Sequence, residues 1–475
     1  MVQAAPSPTA PAKRRDPASE PERETVESEE ARTRQLSERA VRLARFYQGK
    51  IETVPKVPVR ALADFSLWYT PGIAAVSRAI EADPDESFEL TGRWNTIAIV
   101  TDGSRVLGLG NVGPRAALPV MEGKALLFKY LGGVDAVPIP VDVASPEELI
   151  DLVLHIAPAF GGVNLEDIAS PKCFHILEEL QRRLPIPVWH DDQLGTAAAT
   201  VAGLLNALEL TGRSMKEART VLFGAGAANL VTARLLIRLG LDPHRLTVVD
   251  TKGILTAERS DLDELMLHNP WKYRLALQTD GGGRSGPLSE ALREADVLLA
   301  ASTPDPRAIH PDWIRSMARK PIVFALANPV PEIWPASAHE AGAAIVATGR
   351  GDFPNQVNNS LVFPAVFRGV LDARARSIPD EIVLAAAREL AAHAKDAGLT
   401  PTHLLPTMDE VAVFPHVAAA VGTEAVRLGI ARRKHTSEEF LALAKERMAR
   451  SGRVARALAH SGLTAPMPDE GPGGP

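Results

Sequence analysis

The chain is poor in cysteine, in aromatic residues and in surplus charge, and each shortage closes off a class of protein. Among 475 residues there is one cysteine, Cys173, so neither a disulfide framework nor a four-cysteine zinc site can be built. Aromatic residues make up 5% of the chain against 45% hydrophobic in total, so aliphatic and small side chains must fill the core. With 52 basic and 58 acidic residues the formal charge is −6, and no global basic field draws the chain to nucleic acid or anionic lipid. No run approaches the roughly 18 uninterrupted apolar residues of a membrane span. A soluble, cytoplasmic protein is expected, long enough to bury its core without covalent staples.

At about 150 residues per domain, the length suggests about three domains, or two with appendages. Residues 1–38 are rich in Ala, Pro, Ser, Glu and Arg, carry little apolar surface to offset ordering entropy, and read as a disordered tail. They lack the apolar stretch of a signal peptide, and the acidic run from Glu20 to Glu30 is unlike a transit peptide. From 39 to 435, short β-branched runs alternate with Ala/Leu-rich stretches. Thr96-Ile97-Ala98-Ile99-Val100, Thr247-Val248-Val249 and Ile322-Val323-Phe324 exemplify the first, and residues 196–210 and 382–394 the second. This alternation predicts a parallel α/β architecture. The expected division is an α/β domain over 39–200, a doubly wound nucleotide-binding domain over 201–365, and a helical segment over 366–435 packing back on the first. An extra helix and loose tail follow over 436–475, opened by a capping-box pattern at Thr436-Ser437-Glu438-Glu439.

What is present carries chemistry. Thr220-Val221-Leu222-Phe223 runs into Gly224-Ala225-Gly226-Ala227-Ala228-Asn229 and a helical stretch, and a second strand pattern ends at Asp250, 26 residues after Gly224. Strand, glycine turn, helix, strand and terminal acid is the order of a dinucleotide fold. Gly224 suits the tight turn, Gly226 lets backbone amides approach a pyrophosphate, and Asp250 could hold a ribose hydroxyl. Asn229 stands where a third glycine is usual. Asp250 favours NAD, while Lys252 could pair the 2′-phosphate of NADP, so the choice stays open.

Ahead of this unit, ionisable residues gather beside apolar or glycine neighbours at Glu122-Gly123-Lys124, Asn164-Leu165-Glu166-Asp167-Ile168 and His190-Asp191-Asp192-Gln193-Leu194-Gly195-Thr196. Adjacent acids in apolar surroundings repel one another unless a cation compensates. The pairs Glu166-Asp167 and Asp191-Asp192 could converge as oxygen ligands for Mg²⁺ or Mn²⁺. The plainer alternative is that Asp191 or Asp192 caps the helix starting near Thr196. His190 reads as a packing residue, because hard cations prefer oxygen.

Together these segments resemble a malic enzyme of the short prokaryotic type over residues 40–435. The matching motifs include Trp68-Tyr69-Thr70-Pro71-Gly72, residues 101–110 (TDGSRVLGLG), Ala325-Leu326-Ala327-Asn328-Pro329 and Asn358-Asn359. The resemblance implies oxidative decarboxylation of L-malate to pyruvate with a divalent cation and NAD or NADP, in a homodimer or larger homo-oligomer, without a fused acyltransferase domain. It makes Lys124 the general base and Tyr69 the acid that protonates the enolate carbon, with Asp191 supporting the base. Glu166, Asp167 and Asp192 match metal ligands, and Arg105, Lys124, Asn328 and Asn359 match residues that hold substrate. The cofactor would meet Gly224, Ala225, Gly226, Ala227, Asp250, Lys252, Ser302 and Asn328. A lysine serves as base only where burial or neighbouring positive charge lowers its pKa.

Two departures touch the nucleotide side: Asn229, and Ala301-Ser302-Thr303-Pro304-Asp305 where the family tends to have a glycine-containing turn. They motivate a competing reading as a non-catalytic nucleotide-binding regulatory protein. Conversion of malate to lactate on bound NAD is another. An amino-acid dehydrogenase of similar architecture is a third, though it would not need two acid pairs.

Overall fold

Two sheets built on the β-branched runs organise the chain in the computed structural model. It describes the backbone of residues 20–106 and 108–468, and the side chains of 34–106, 108–279 and 281–468. The first sheet has β1 (Thr96–Thr101), β2 (Asp135–Pro140), β3 (Gly162–Leu165) and β4 (Val188–His190), all parallel, in the order β2-β1-β3-β4. Register pairs Val100 with Leu165 and Leu165 with His190. The strand ends at Thr101, Leu165 and His190 therefore fall at one common edge, and Glu166 and Asp191 follow directly off the sheet there. Carboxyl ends of parallel strands are where α/β sheets bind ligands.

The second sheet has β5 (Thr220–Phe223), β6 (Leu246–Asp250), β7 (Gly253–Ile254), β8 (Val297–Ala300), β9 (Ile322–Ala325) and β10 (Ile345–Thr348), in the order β10-β9-β8-β5-β6-β7. Every pairing is parallel except β6 with β7. The strand order reverses at β5, between β6 and β8, so the crevice of this doubly wound sheet opens beside the Gly224 turn.

Nine helices matter to the site: α1 (Glu20–Tyr47), α2 (Gly113–Gly132), α3 (Lys172–Arg183), α4 (Thr196–Thr211), α5 (Ala227–Arg238), α6 (Phe363–Asp372), α7 (Asp380–Ala397), α8 (Val413–Arg427) and α9 (Ser437–His460). Helix α1 corrects the expectation of a disordered tail over residues 20–38; residues 1–19 lie outside the described residues. Glu, Arg, Ala and Leu dominate this stretch, and good helix formers need not bury a face to coil. Helix α4, continued back to Asp191, is long and apolar enough to cross a membrane, but 72% of that window is buried inside the protein. Its Asn206 amide donates to the carbonyls of Ala391 and Leu404 at 2.9 and 2.8 Å, which marks a core helix.

The C-terminal helices do pack back on the first sheet's layer. Phe128 of α2 meets Phe363 and Phe367 of α6 with ring centroids 4.6 and 5.2 Å apart. Helix α9 lies against the end of α2: the Ser451 hydroxyl donates to the Lys129 carbonyl at 2.8 Å, and Gly133, at φ +63°, leaves no room for a Cβ beside the Arg447 carbonyl. Thr436 and Glu439 form the reciprocal cap expected for α9. An arm over residues 50–82, by contrast, is almost wholly exposed, with Leu62 85%, Leu67 65% and Tyr69 68% accessible.

Candidate active site

The carboxyl edge of the first sheet gathers one lysine and four acids. Lys124, on the fourth turn of α2 and 7% exposed, places its Nζ 2.9 Å from Glu166 Oε1 and in direct contact with Asp191 Oδ2. The Phe363 ring lies 4.1 Å from the same ammonium. Asp191 is fully buried, and its other oxygen accepts the Trp189 indole N–H at 2.8 Å. Burial alone would lower the pKa of Lys124, but the Asp191 and Glu166 carboxylates override it and hold the amine well above its usual range. The lowered lysine pKa that a base requires is therefore not a property of this arrangement by itself. Burial pushes the Asp191 carboxyl up, against the pull of Lys124. Glu166 is raised strongly, first by burial and then by the charges of Asp191, Asp192 and Asp167.

A local backbone departure separates the two aspartates. Residues Asp191–Gly195 form a π-turn that leads into α4, a device found mostly at functional sites. Asp191 turns to Lys124 and Trp189, while Asp192 Oδ2 accepts the backbone N–H of Asp167 at 2.9 Å. Gly195 is required here, because a Cβ would lie 2.1 Å from Asp191 Oδ1. Glu166, Asp167 and Asp192 each bring one oxygen within 4.8 Å of the others. Asp167 holds φ +54°, a left-handed conformation uncommon outside glycine, which brings it into this group. Three converging hard oxygen donors, one of them strongly raised by burial and then by its acidic neighbours, fit a Mg²⁺ or Mn²⁺ ion.

The remaining expected residues divide. The Arg105 backbone N–H donates to the Asp167 carbonyl at 3.0 Å, which places this exposed residue's backbone beside the carboxylate loop. Asn359 abuts the π-turn, its Cβ 3.0 Å from where a Gly195 Cβ would stand. Asn358 takes the capping role instead, accepting the Ser360 N–H at 2.9 Å. Asn328 is exposed and wedged between Gly108 and Gly349, at neither of which a Cβ fits freely. Tyr69 is not brought in: it is exposed on the arm, and among the described residues it makes no hydrogen bond with Lys124, Glu166 or Asp191.

On the nucleotide side Gly224, at φ +96°, packs so tightly on the next turn that a Cβ would lie 2.4 Å from the Ala301 carbonyl oxygen. Nothing lies within 4 Å of the Cβ position at Gly226, which leaves room for a pyrophosphate before α5, whose first residue is Ala227, with Ala225 between the glycines. Asn229 repays its bulk: its amide donates to the carbonyls of Phe223 and Gly224 at 3.0 and 2.9 Å and pins the turn. Ser302 gives both its N–H and its hydroxyl to Glu332, at 2.7 and 3.1 Å. Asp250 is occupied too. Arg259 Nη1 and Lys272 Nζ each approach one of its oxygens at 2.9 Å, and together they outweigh burial and hold its carboxyl below the usual range. Lys252 turns to Asp261 and Glu264 at 3.0 and 3.3 Å.

Sequence reasoning missed Trp189, Glu332, Arg259 and Lys272. Each acts as a partner of a residue that was singled out, and no spacing rule announces a partner brought in by tertiary folding. Cys173 is buried, its thiol pushed up to about 12 by burial above all, so it is a packing residue.

Against known families, residues 48–181 match the model described as malic enzyme, N-terminal domain, and residues 194–426 match malic enzyme, NAD binding domain. A bifunctional malic/malolactic enzyme of Bacillus subtilis is 45% identical over 397 residues, 84% of this chain and 95% of that protein. An NAD-dependent malic enzyme of Geobacillus stearothermophilus is 45% identical over 81% of this chain and 78% of its own length. An NADP-dependent malic enzyme of Halomonas elongata is 42% identical over 82% and 92%. The crystal structure of the Entamoeba histolytica malic enzyme superposes with a TM-score of 0.89 at 43% identity, covering 92% of this chain and 91% of that one.

Proposed function

This chain belongs to the malic enzyme family, and from that premise we propose that it converts L-malate to pyruvate and CO₂ while reducing NAD or NADP. The observation that carries the reading is Lys124 wedged between Asp191 and Glu166, beside the convergent oxygens of Glu166, Asp167 and Asp192. Those three carboxylates would hold the divalent cation, which when bound supplies Lewis-acid stabilisation of negative charge on substrate oxygen.

Lys124 is assigned the proton of the substrate hydroxyl. In the resting pair the amine is held protonated, so it must first part with a proton. Asp191, lifted towards protonation by burial, is the acceptor in contact with it. A proton passed to Asp191 leaves a neutral amine that can take the hydroxyl proton as hydride departs to the nicotinamide. Arg105, Asn328 and Asn359 are assigned the substrate carboxylates and orientation, and the Gly224–Ala227 turn the pyrophosphate. For the ribose, Asp250 is read as the anchor of Arg259 and Lys272 rather than as a hydroxyl acceptor. That cationic setting admits the 2′-phosphate of NADP as well as NAD.

Tyr69 is assigned the proton that ends the reaction on the enolate carbon. An exposed tyrosine on an apolar, uncovered arm cannot serve a buried site unless the arm is covered. A second copy of this chain is the partner we propose, each arm closing over the other's carboxylate edge. The reading thus carries with it a cytoplasmic homo-oligomer.

The test is product analysis with malate, Mn²⁺ and either cofactor. Reduced cofactor and pyruvate in equal amounts are expected. Lactate without free reduced cofactor would establish the malolactic reaction that the Bacillus subtilis relative's name includes. No turnover with either cofactor would return the regulatory reading.

A further inference from the structure

Away from the carboxylate edge, three arginines crowd one buried phenylalanine and two more stand near them. Phe88 is 4% exposed, and the guanidinium carbons of Arg93, Arg374 and Arg432 lie 4.2, 5.4 and 5.7 Å from its ring centroid. Arg433 joins them through Glu89, which it shares with Arg374. Arg376 is exposed, close enough for its charge to act on Arg432.

The cluster is rigidly mounted. Segments 373–376 and 430–433 are stitched by backbone bonds from Arg376 N to the Ile430 carbonyl, from Arg432 N to the carbonyls of Ala373 and Arg374, and from Arg433 N to Ala373. Arg374 itself holds φ +46°, a strained conformation for a long side chain. Arg93 comes from a separate segment and is anchored by the Phe160 carbonyl at 3.0 Å and the Ser87 hydroxyl at 2.8 Å.

Compensation is incomplete. Glu89 accepts two of the guanidiniums, and the exposed Asp85 stands 3.7 Å from Arg432, so two carboxylates face five cations. Arg93 has only neutral hydrogen-bond acceptors. Burial above all depresses the pKa of both Arg93 and Arg432; Arg432 adds to the depression at Arg93, and at Arg432 the charges of Arg376 and Arg374 work against the opposing pull of Asp85. The ring contacts favour each guanidinium singly, but the guanidiniums repel one another, and an arriving anion would relieve that repulsion.

We propose that the arginines around Phe88 form a binding site for a small, multiply charged oxyanion of the phosphate type. Guanidiniums approaching from several directions suit a tetrahedral group with three or more acceptor oxygens better than a single planar carboxylate. The site shares no residue with the proposed active site, so it stands or falls independently of that assignment.

The test uses the full chain, with excess ADP-ribose present to fill the nucleotide site, and inorganic pyrophosphate as the probe. Equilibrium titration should show saturable binding and a raised Tm beyond that given by sodium chloride of equal ionic strength. Arg376→Gln, an exposed change that leaves the stitched segments intact, should weaken pyrophosphate about tenfold. Arg432→Gln should weaken it further. A Tm rise matched by chloride, pyrophosphate binding unchanged in Arg376→Gln, or succinate binding as tightly as pyrophosphate would each overturn the proposal.

Discussion

Lys124 and Asp191 form an ion pair with no access to solvent on the acidic side, and Trp189 holds the carboxylate's second oxygen in place. The pair proposed as a proton relay is also a structural risk, because among the described residues the buried Asp191 charge pairs with no cation but Lys124.

Replacing Lys124 by Met should expose both roles. Loss of the general base is expected to cut kcat by about 10²- to 10⁴-fold, and a kcat within twofold of the parent would remove Lys124 from the mechanism. Without added metal, the unpaired Asp191 and Glu166 should also cost about 3–5 kcal/mol at neutral pH. Both carboxyls are already raised by burial, so they bind protons more tightly folded than unfolded. The variant should therefore be most stable at acid pH and lose stability as pH rises through the raised values. Thermal melts from pH 4 to 8 would show it.

Asp192→Asn should weaken Mn²⁺ binding about tenfold or more while leaving the Lys124–Asp191 pair intact. Calorimetric titration of Mn²⁺ measures this directly. Equal affinity in the variant would detach Asp192 from the metal.

Two inactive variants should rescue each other if the arm serves a neighbour. Mixing Tyr69→Phe with Lys124→Met after mild dissociation should restore about a quarter of parental activity, carried by mixed dimers whose one intact site combines both chains. Each variant alone stays inactive. No recovery, with exchange of subunits verified by mass, would place Tyr69 and Lys124 on one chain.

The ribose end offers a fourth measurement. With Asp250 tied to Arg259 and Lys272, 2′-phospho-ADP-ribose should bind no more than about tenfold more weakly than ADP-ribose. A larger gap would mean that Asp250 repels the phosphate. Asp250→Asn should cost about 1–2 kcal/mol at pH 7, solvent screening at this edge keeping it below a deeply buried pair. Because the carboxyl is depressed when folded, its contribution is present at neutral pH and is lost as pH falls through the folded value, where parent and variant should converge.

Much of this was legible in the residues. Runs such as Thr96–Val100 and Thr220–Phe223 are strands because β-branched side chains buried on both faces suit a parallel sheet. The acids stand out because adjacent charges next to apolar strands demand compensation. What stayed hidden was partnership across distance. Asn229 read as a defect until its amide was found on the Phe223 and Gly224 carbonyls. Asp250 read as a free acceptor because Lys272, 22 positions away, gives no sign in sequence of folding back to it. The 20–38 segment was read from its lack of apolar surface, which speaks to burial and not to helix propensity.

The π-turn at Asp191–Gly195 carries a consequence for chain length. Two neighbouring aspartates serve different partners only because the extra residue widens the turn before α4 begins. Deleting one residue between Asp192 and Thr196 would keep both carboxylates in the sequence and restore an ordinary α-turn. It would also rotate α4, with Asn206 and its carbonyl partners, by about 100° against the sheet. The spacing from His190 to Thr196 is therefore as much a part of the proposed site as the acids themselves, and insertion or deletion there should be a more damaging lesion than many substitutions.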